Sequence, residues 1–133
     1  MNKYEHKVHY YETDKMGITH HSNYIRWMEE ARIDFLENIG WSYARLEELG
    51  VISPVTEIEC KYKNTTTFSD RIIISVSIEE FNGVKLKIKY QMINADTEAV
   101  VCEGRSEHCF LSKDGKIVSI KKEYPEFYEK MVN

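Results

Sequence analysis

A single stretch limits what this chain can become. Residues 10 to 40 read YYETDKMGITHHSNYIRWMEEARIDFLENIG and hold the longest helical pattern in the sequence. Tyr24, Met28, Ala31, Phe35 and Ile39 recur at spacings of four, three, four and four, which lays one apolar stripe along a helix. Trp27, Ile25 and Leu36 widen the stripe beyond what a surface helix needs. Arg26, Glu30 and Glu37 mark the wetter side, and Ile33 interrupts it. The pattern predicts a mostly buried helix from about Asn23 to Ile39. Ser22 is placed to cap its start, and Gly40 to end it in the left-handed conformation. The positive end of that helix then sits beside one carboxylate, Asp14, and two imidazoles, His20 and His21.

The remainder alternates at a period of two. Residues 4–11 put Tyr4, His6, Val8 and Tyr10 on one side. After a short helix over Trp41 to Leu49, capped by Ser42 and stopped by Gly50, Pro54 opens a strand over 55–62. Asn64-Thr65-Thr66-Thr67 reads as its polar, irregular continuation. Residues 71–79 and 84–93 are the clearest strands, joined at Asn82-Gly83, where both residues tolerate positive φ. Residues 99–111 place Cys102, Gly104, Ser106, His108 and Phe110 on one face, and the small residues there admit a helix close to the sheet. A short helix over 123–131, with Pro125 in its first turn, closes the chain. Short turns imply antiparallel pairing, and one apolar sheet face needs a cover. The long helix is the only candidate. The expected class is therefore α+β, an antiparallel sheet wrapped around a long central helix, in one domain over 1–133.

Composition excludes other classes. A net charge of −4 gives no electrostatic reason to expect nucleic acid. The apolar runs fall far short of the roughly 20 residues that span a bilayer, and MNKYEHKVHYY lacks the apolar core of a signal peptide. Cys60, Cys102 and Cys109 are odd in number and widely spaced, which suits reduced, buried thiols of a cytoplasmic protein.

The chemistry-bearing residues cluster where the helix starts. Asp14 near Gly17 suits a turn carboxylate that accepts from backbone N–H groups. The same carboxylate beside a helix N-terminus suits activation of water or direct attack, with free N–H groups to hold an oxyanion. Both readings stand on the residues alone. His20 and His21 are adjacent and show no H-x-x-x-H spacing, so no metal is expected. His21 beside Asp14 suits an acid–base or orienting partner. The Lys85, Lys87, Lys89 stripe reads as a solvated face, or as a contact for ligand phosphates. Of Tyr10 and Tyr11, one is expected in the core and the other at a substrate.

The run Tyr10-Tyr11-Glu12-Thr13-Asp14-Lys15-Met16-Gly17-Ile18-Thr19-His20-His21-Ser22-Asn23-Tyr24 resembles the signature of the hotdog-fold acyl-CoA thioesterases, closest to the 4-hydroxybenzoyl-CoA thioesterase and YbgC-like group. That signature has an aromatic residue, T-D, a glycine three residues on, and H-x-N-Y at the helix start. Phe68-Ser69-Asp70 before a strand, Asn94 at a strand end, and Phe110-Leu111 to Gly115-Lys116 extend the similarity along nearly the whole chain. The resemblance implies a five- or six-stranded sheet around the helix, dimers paired edge to edge that often form homotetramers, and active sites at the dimer interface. It implies Asp14 as catalytic base or nucleophile, the His21 backbone N–H as the group polarising the thioester carbonyl, and catalytic roles for the His21 side chain and Tyr10. Gly17, Asn23 and Tyr24 complete the motif as substrate-side positions. The family often carries proline, sometimes a basic residue, where this chain has Asn64 to Thr67. Lys61, Lys63 and Lys89 are the candidates for the CoA phosphates.

The expected protein is thus a homo-oligomeric acyl-CoA thioesterase in which CoA belongs to the substrate and no cofactor is used. Two alternatives stay open: a hydratase or dehydratase of acyl thioesters on the same fold, and a non-catalytic acyl-CoA binding module.

Overall fold

The computed structural model describes residues 2–133. Five antiparallel strands form one sheet in the order β1-β4-β5-β6-β3: β1 is Asn2–Lys7, β3 Val55–Tyr62, β4 Arg71–Phe81, β5 Leu86–Asn94 and β6 Val100–His108. The long helix α1, Ser22–Asn38, lies across the inner face. Its Trp27, Met28 and Ala31 are buried against Ile72, Ile74 and Val76 of β4 and Ile88, Tyr90 and Met92 of β5. Gly40 takes φ +83, and the Gly40 and Trp41 N–H groups return to Glu37 O and Leu36 O, the pairing that closes a helix with a left-handed residue. The short helix α2, Tyr43–Glu48, starts where the Ser42 hydroxyl accepts from Arg45 N–H. Two small strands, β2 (Val51–Ile52) and β7 (Leu111–Ser112), pair separately. A single turn, α3 (Ile120–Glu123), leads to α4 (Pro125–Val132), whose Phe127 stacks on Trp41 at 4.9 Å.

The close approach at β6 is real. Gly104 pairs with Cys60 and Tyr90 on its two neighbours, directly beneath α1. A Cβ there would lie 3.0 Å from Met28 Sδ and 3.3 Å from Glu59 O. Helix and sheet are also joined by a polar chain. Arg32, only 6% exposed, donates to Tyr43 OH and Tyr90 OH, both at 3.0 Å. Tyr90 OH continues to Ser106 Oγ at 2.6 Å, and Ser106 Oγ to His108 Nε2 at 2.7 Å. Burial, then the Arg32 charge, push the His108 imidazole down to about 4, so it is neutral in the core.

Several local expectations are corrected. The first strand stops at Lys7 and not at residue 11, because the Glu12 carboxylate captures His9 N–H at 2.7 Å and curls Tyr10–Glu12 into one 3-10 turn. Tyr10 and Tyr11 are consequently 75% and 78% exposed, and neither packs in the core. Ser22 does not cap α1. His21 holds that position with helical φ and ψ, while Ser22 lies in the first turn with Oγ 2.8 Å from His20 Nδ1. Asn82-Gly83 begins a four-residue connection between Phe81 and Leu86. Only Gly83 has positive φ, and Asn82 Oδ1 accepts from Val84 and Lys85 N–H. Ile25, assigned to the apolar stripe, is exposed, and Arg32 is buried in its stead.

Candidate active site

Asp14 sits on a tight loop. Thr13 bridges to Thr19, and Asp14 N–H donates to Ile18 O at 2.9 Å. Asp14 Oδ1 accepts from Met16 N–H at 2.8 Å, and Gly17, at φ +80, donates back to Asp14 O at 3.0 Å. A side chain at residue 17 meets open space but a strained backbone, so glycine here serves the turn. Asp14 thus makes the local bond expected of a turn carboxylate. It remains half-exposed, and its second oxygen accepts no hydrogen bond.

The loop is held from both sides. The threonine run does the holding on one side. Thr66 is 2% exposed and meets Thr19 Oγ1 at 2.6 Å and Tyr24 OH at 2.9 Å. Thr67 Oγ1 donates to Gly17 O at 2.7 Å. On the other side stands Glu12. Its backbone carbonyl accepts from His20 N–H at 2.8 Å and Asn23 Nδ2 at 3.0 Å. Its carboxylate accepts from His6 Nε2 at 2.9 Å, from His9 N–H and from Trp27 Nε1 at 2.8 Å. His6 Nδ1 reaches Glu30 Oε1 at 3.2 Å, and Tyr4 OH donates to the same oxygen at 2.8 Å. His6, His9 and Glu12 also have their possible metal-ligating atoms within 4.8 Å of one another, but three donors already occupy the Glu12 carboxylate.

The start of α1 faces this loop. The His21 N–H donates to no group among the described residues, and the His20 and His21 rings stack at 4.3 Å. Tyr62, at the end of β3, brings its hydroxyl 3.5 Å from His21 O. Tyr10 packs edge-on to Phe68 at 5.6 Å, and Tyr10, Tyr11, Met16, Tyr62 and Phe68 all stay exposed around the loop. Asp14, Gly17 and His21 thus lie along one loop-to-helix segment, with Tyr10 exposed on the turn before it. Asn23 and Tyr24 are near but buried, Asn23 Nδ2 donating to the Glu12 and His20 carbonyls at the two ends of the loop and Tyr24 OH bonding to Thr66. Lys61 and Lys89 lie elsewhere. They line a groove of about 410 Å³ on the sheet's outer face with Ser75, Gln91, Glu103 and Arg105, and Lys63 is exposed just past β3.

Comparison with known proteins shows the family. The family model described as the Thioesterase-like superfamily matches residues 8–130. The chain belongs to that superfamily. This thioesterase is 33% identical over 128 residues to the putative acyl-CoA thioesterase YneP of Bacillus subtilis, covering 96% of this chain and 93% of that one. It is 36% identical over 123 residues to a putative esterase of Aquifex aeolicus, covering 92% and 94%. Among solved structures, the DHNA-CoA thioesterase of Staphylococcus aureus superposes with a TM-score of 0.92 at 30% identity, over 97% of this chain and 87% of that one. The thioesterase is a thioester hydrolase with the hotdog fold. None of its described helices is long and apolar enough to cross a membrane.

The bracing residues of the thioesterase were not picked out from sequence. Glu12 lies inside the motif, but its partners His6, Trp27 and Glu30 come from other elements, and Thr66 looked like one of a polar run. An inward-facing His6 beside a buried acid was the one available signal.

The buried cluster gives stability a pH window. Burial alone lowers the His6 pKa, but hydrogen bonds and charge from Glu30 and Glu12 outweigh it, and the net direction is upward from 6.5. Burial works against Glu12, and bonds from His9 N–H, Trp27 and His6 bring it below 4.5. For Glu30 the His6 bond dominates and also lowers it. The His6 contribution is fully present below 6.5 and is lost as pH rises through its raised pKa. The carboxylate contribution is present above 4.5 and is lost as pH falls through their lowered values. Thermal unfolding across pH is expected to show a Tm plateau between those limits, and His6→Asn to remove its alkaline shoulder. An unchanged shoulder in the variant would show that other groups set it.

Proposed function

We propose that this thioesterase hydrolyses an acyl-CoA to free acid and CoA, with Asp14 driving the attack and the N-terminus of α1 holding the oxyanion. The observation that carries this reading is a half-exposed carboxylate on a braced loop that runs straight into α1, where the His21 N–H donates to no group among the described residues. As base, Asp14 takes a proton from water while the water oxygen bonds to the thioester carbon. As nucleophile, Asp14 forms a mixed anhydride that water then opens. In either case the C–S bond breaks, the electron pair leaves on sulfur, and the thiolate takes up a proton. The carbonyl oxygen gains negative charge on the way, and the His21 N–H at the positive helix end is placed to receive it. The exposed aromatics of the rim suit an apolar acyl group. Lys61 and Lys89 on the sheet's outer face and Lys63 just past β3 are proposed for the CoA phosphates, which the substrate carries at the end far from its thioester. No cofactor is required, and three cysteines without disulfides suit the cytoplasm. A panel of acyl-CoA substrates read by thiol release tests this. Release that depends on acyl group is expected. Intact ligand after long incubation would favour a binding module instead.

The reading includes a homo-oligomer, a dimer or tetramer. β3 is an eight-residue edge strand whose outer backbone is unpaired, and Tyr62 at its end touches His21. A second copy pairing on β3 would place its own residues at the candidate site. Light scattering at micromolar concentration is expected to give at least the dimer mass. A monodisperse monomer would overturn an interface site.

A further inference from the structure

Glu12 and His6 touch none of the groups assigned to the chemistry, yet Glu12 accepts five hydrogen bonds where the chain enters the Asp14 loop. Glu12 ties together three pieces of chain. Its carboxylate takes His6 from β1, His9 N–H from the connection and Trp27 from α1, and its carbonyl takes His20 N–H and Asn23 Nδ2 at the helix start. Asp14 is two residues further on, and its position relative to His21 passes through these bonds. His6 sits between the Glu12 and Glu30 carboxylates, one on each ring nitrogen. With both carboxylates ionised each only accepts, so both ring nitrogens donate and the ring is an imidazolium. The Trp27 ring lies 4.5 Å from it and His9 5.4 Å, and Tyr4 reaches it through Glu30. No other charged group contacts His6 among the described residues.

We propose that Glu12 and the His6 imidazolium are positioning residues of the hydrolysis, holding the Asp14 loop against the start of α1 so that loss of the His6 proton disengages the loop. This rests on Asp14 being the catalytic carboxylate. Deprotonated, His6 keeps one donor for two carboxylates. One of them then faces a nitrogen lone pair, and the Glu12 anchor is the one joined to the loop. Activity would therefore fall on the alkaline side as His6 loses its proton. The raised His6 pKa agrees with that direction.

The test compares kcat–pH profiles and His6 imidazole titration by NMR for the full-length wild type and two variants, with spontaneous thioester hydrolysis subtracted. Glu12→Gln keeps the shape but removes the charge opposite His6, and with its one oxygen left to His6 and His9 N–H it sets an NH2 donor against Trp27 Nε1–H. Its kcat is expected to fall by about 10-fold or more with KM within about twofold, the pattern of a misplaced catalytic group. Glu30→Gln removes the outer, half-exposed carboxylate and is the variant that keeps the test alive if Glu12→Gln fails to fold. It is expected to move the His6 titration and the alkaline limb of kcat together to lower pH, with the plateau kept. A wild-type His6 that is neutral at pH 7, or an alkaline limb that stays fixed while the His6 titration moves, would overturn the proposal. So would a folded Glu12→Gln with wild-type kcat in a protein that Asp14→Asn inactivates. Full activity of Asp14→Asn would instead overturn the catalytic reading beneath it. A purely structural role would lower Tm and leave kcat per folded molecule and its pH profile unmoved.

Discussion

Asp14→Asn is expected to leave a folded protein whose turnover on its best thioester falls by ~10²-fold or more, the range of a lost acid–base group. The fold should tolerate the change. The asparagine Oδ1 retains the bond from Met16 N–H, and the two other bonds of the turn run through the Asp14 backbone. The side chain is half-exposed, so no cavity opens. What disappears is the negative charge, which both the base and the nucleophile role need. His21→Ala should cost less, because alanine keeps the N–H proposed for the oxyanion. Turnover and thermal melting on the same preparations decide the matter. If Asp14 only shapes the turn, stability drops and activity follows the folded fraction. Near-wild-type turnover in a well-folded variant would sink the mechanism and leave fold and family standing.

Gly104→Leu is expected to be the most damaging single change in the core. Even a first carbon at this position comes within 3.0 Å of Met28 Sδ, 3.1 Å of Met28 Cε and 3.3 Å of the Glu59 carbonyl. The Met28 terminus is flexible and can swing aside, so Gly104→Ala should be mild. Leucine adds three more carbons against a buried helix on one side and the β3 backbone on the other. Overpacking of this kind costs about 1–3 kcal/mol or more. Denaturant or thermal unfolding should show a large loss for leucine and a small one for alanine. An unchanged midpoint for leucine would mean that α1 has room to lift from β6.

These two positions illustrate what was legible. Gly104 could be read because strands alternate strictly: once Cys102 and Phe110 point inward, so does Gly104, and only small residues let a helix settle there. The alternation also gave β4 and β5, and the 3.6-residue stripe gave α1 to within a residue at each end. Failures gathered where side chains bond across the sequence. The first strand ended early because Glu12 took a backbone N–H locally and two side chains, His6 of that same strand and Trp27 of α1. Arg32 entered the core because Tyr43 and Tyr90, 11 and 58 residues away, supply oxygens for it. No periodicity reports such partners. At the site the motif residues Asp14, Gly17 and His21 were visible, while Thr66 and His6 were not, since their work is done through residues 47 and 6 positions away.

The exposed rim of the loop has a different significance from its braced interior. Thr19, Thr66, Asn23, Tyr24 and Glu12 hold the loop's shape, and replacing any of them strips a buried hydrogen bond. Tyr10, Tyr11, Met16 and Phe68 do none of that holding with their side chains, which stand largely in solvent. Changes there cost folding little. With the rim meeting the acyl group as proposed, preference can drift by substitution there while the loop beneath stays put, so one scaffold can be retuned from one thioester to another without first being stabilised.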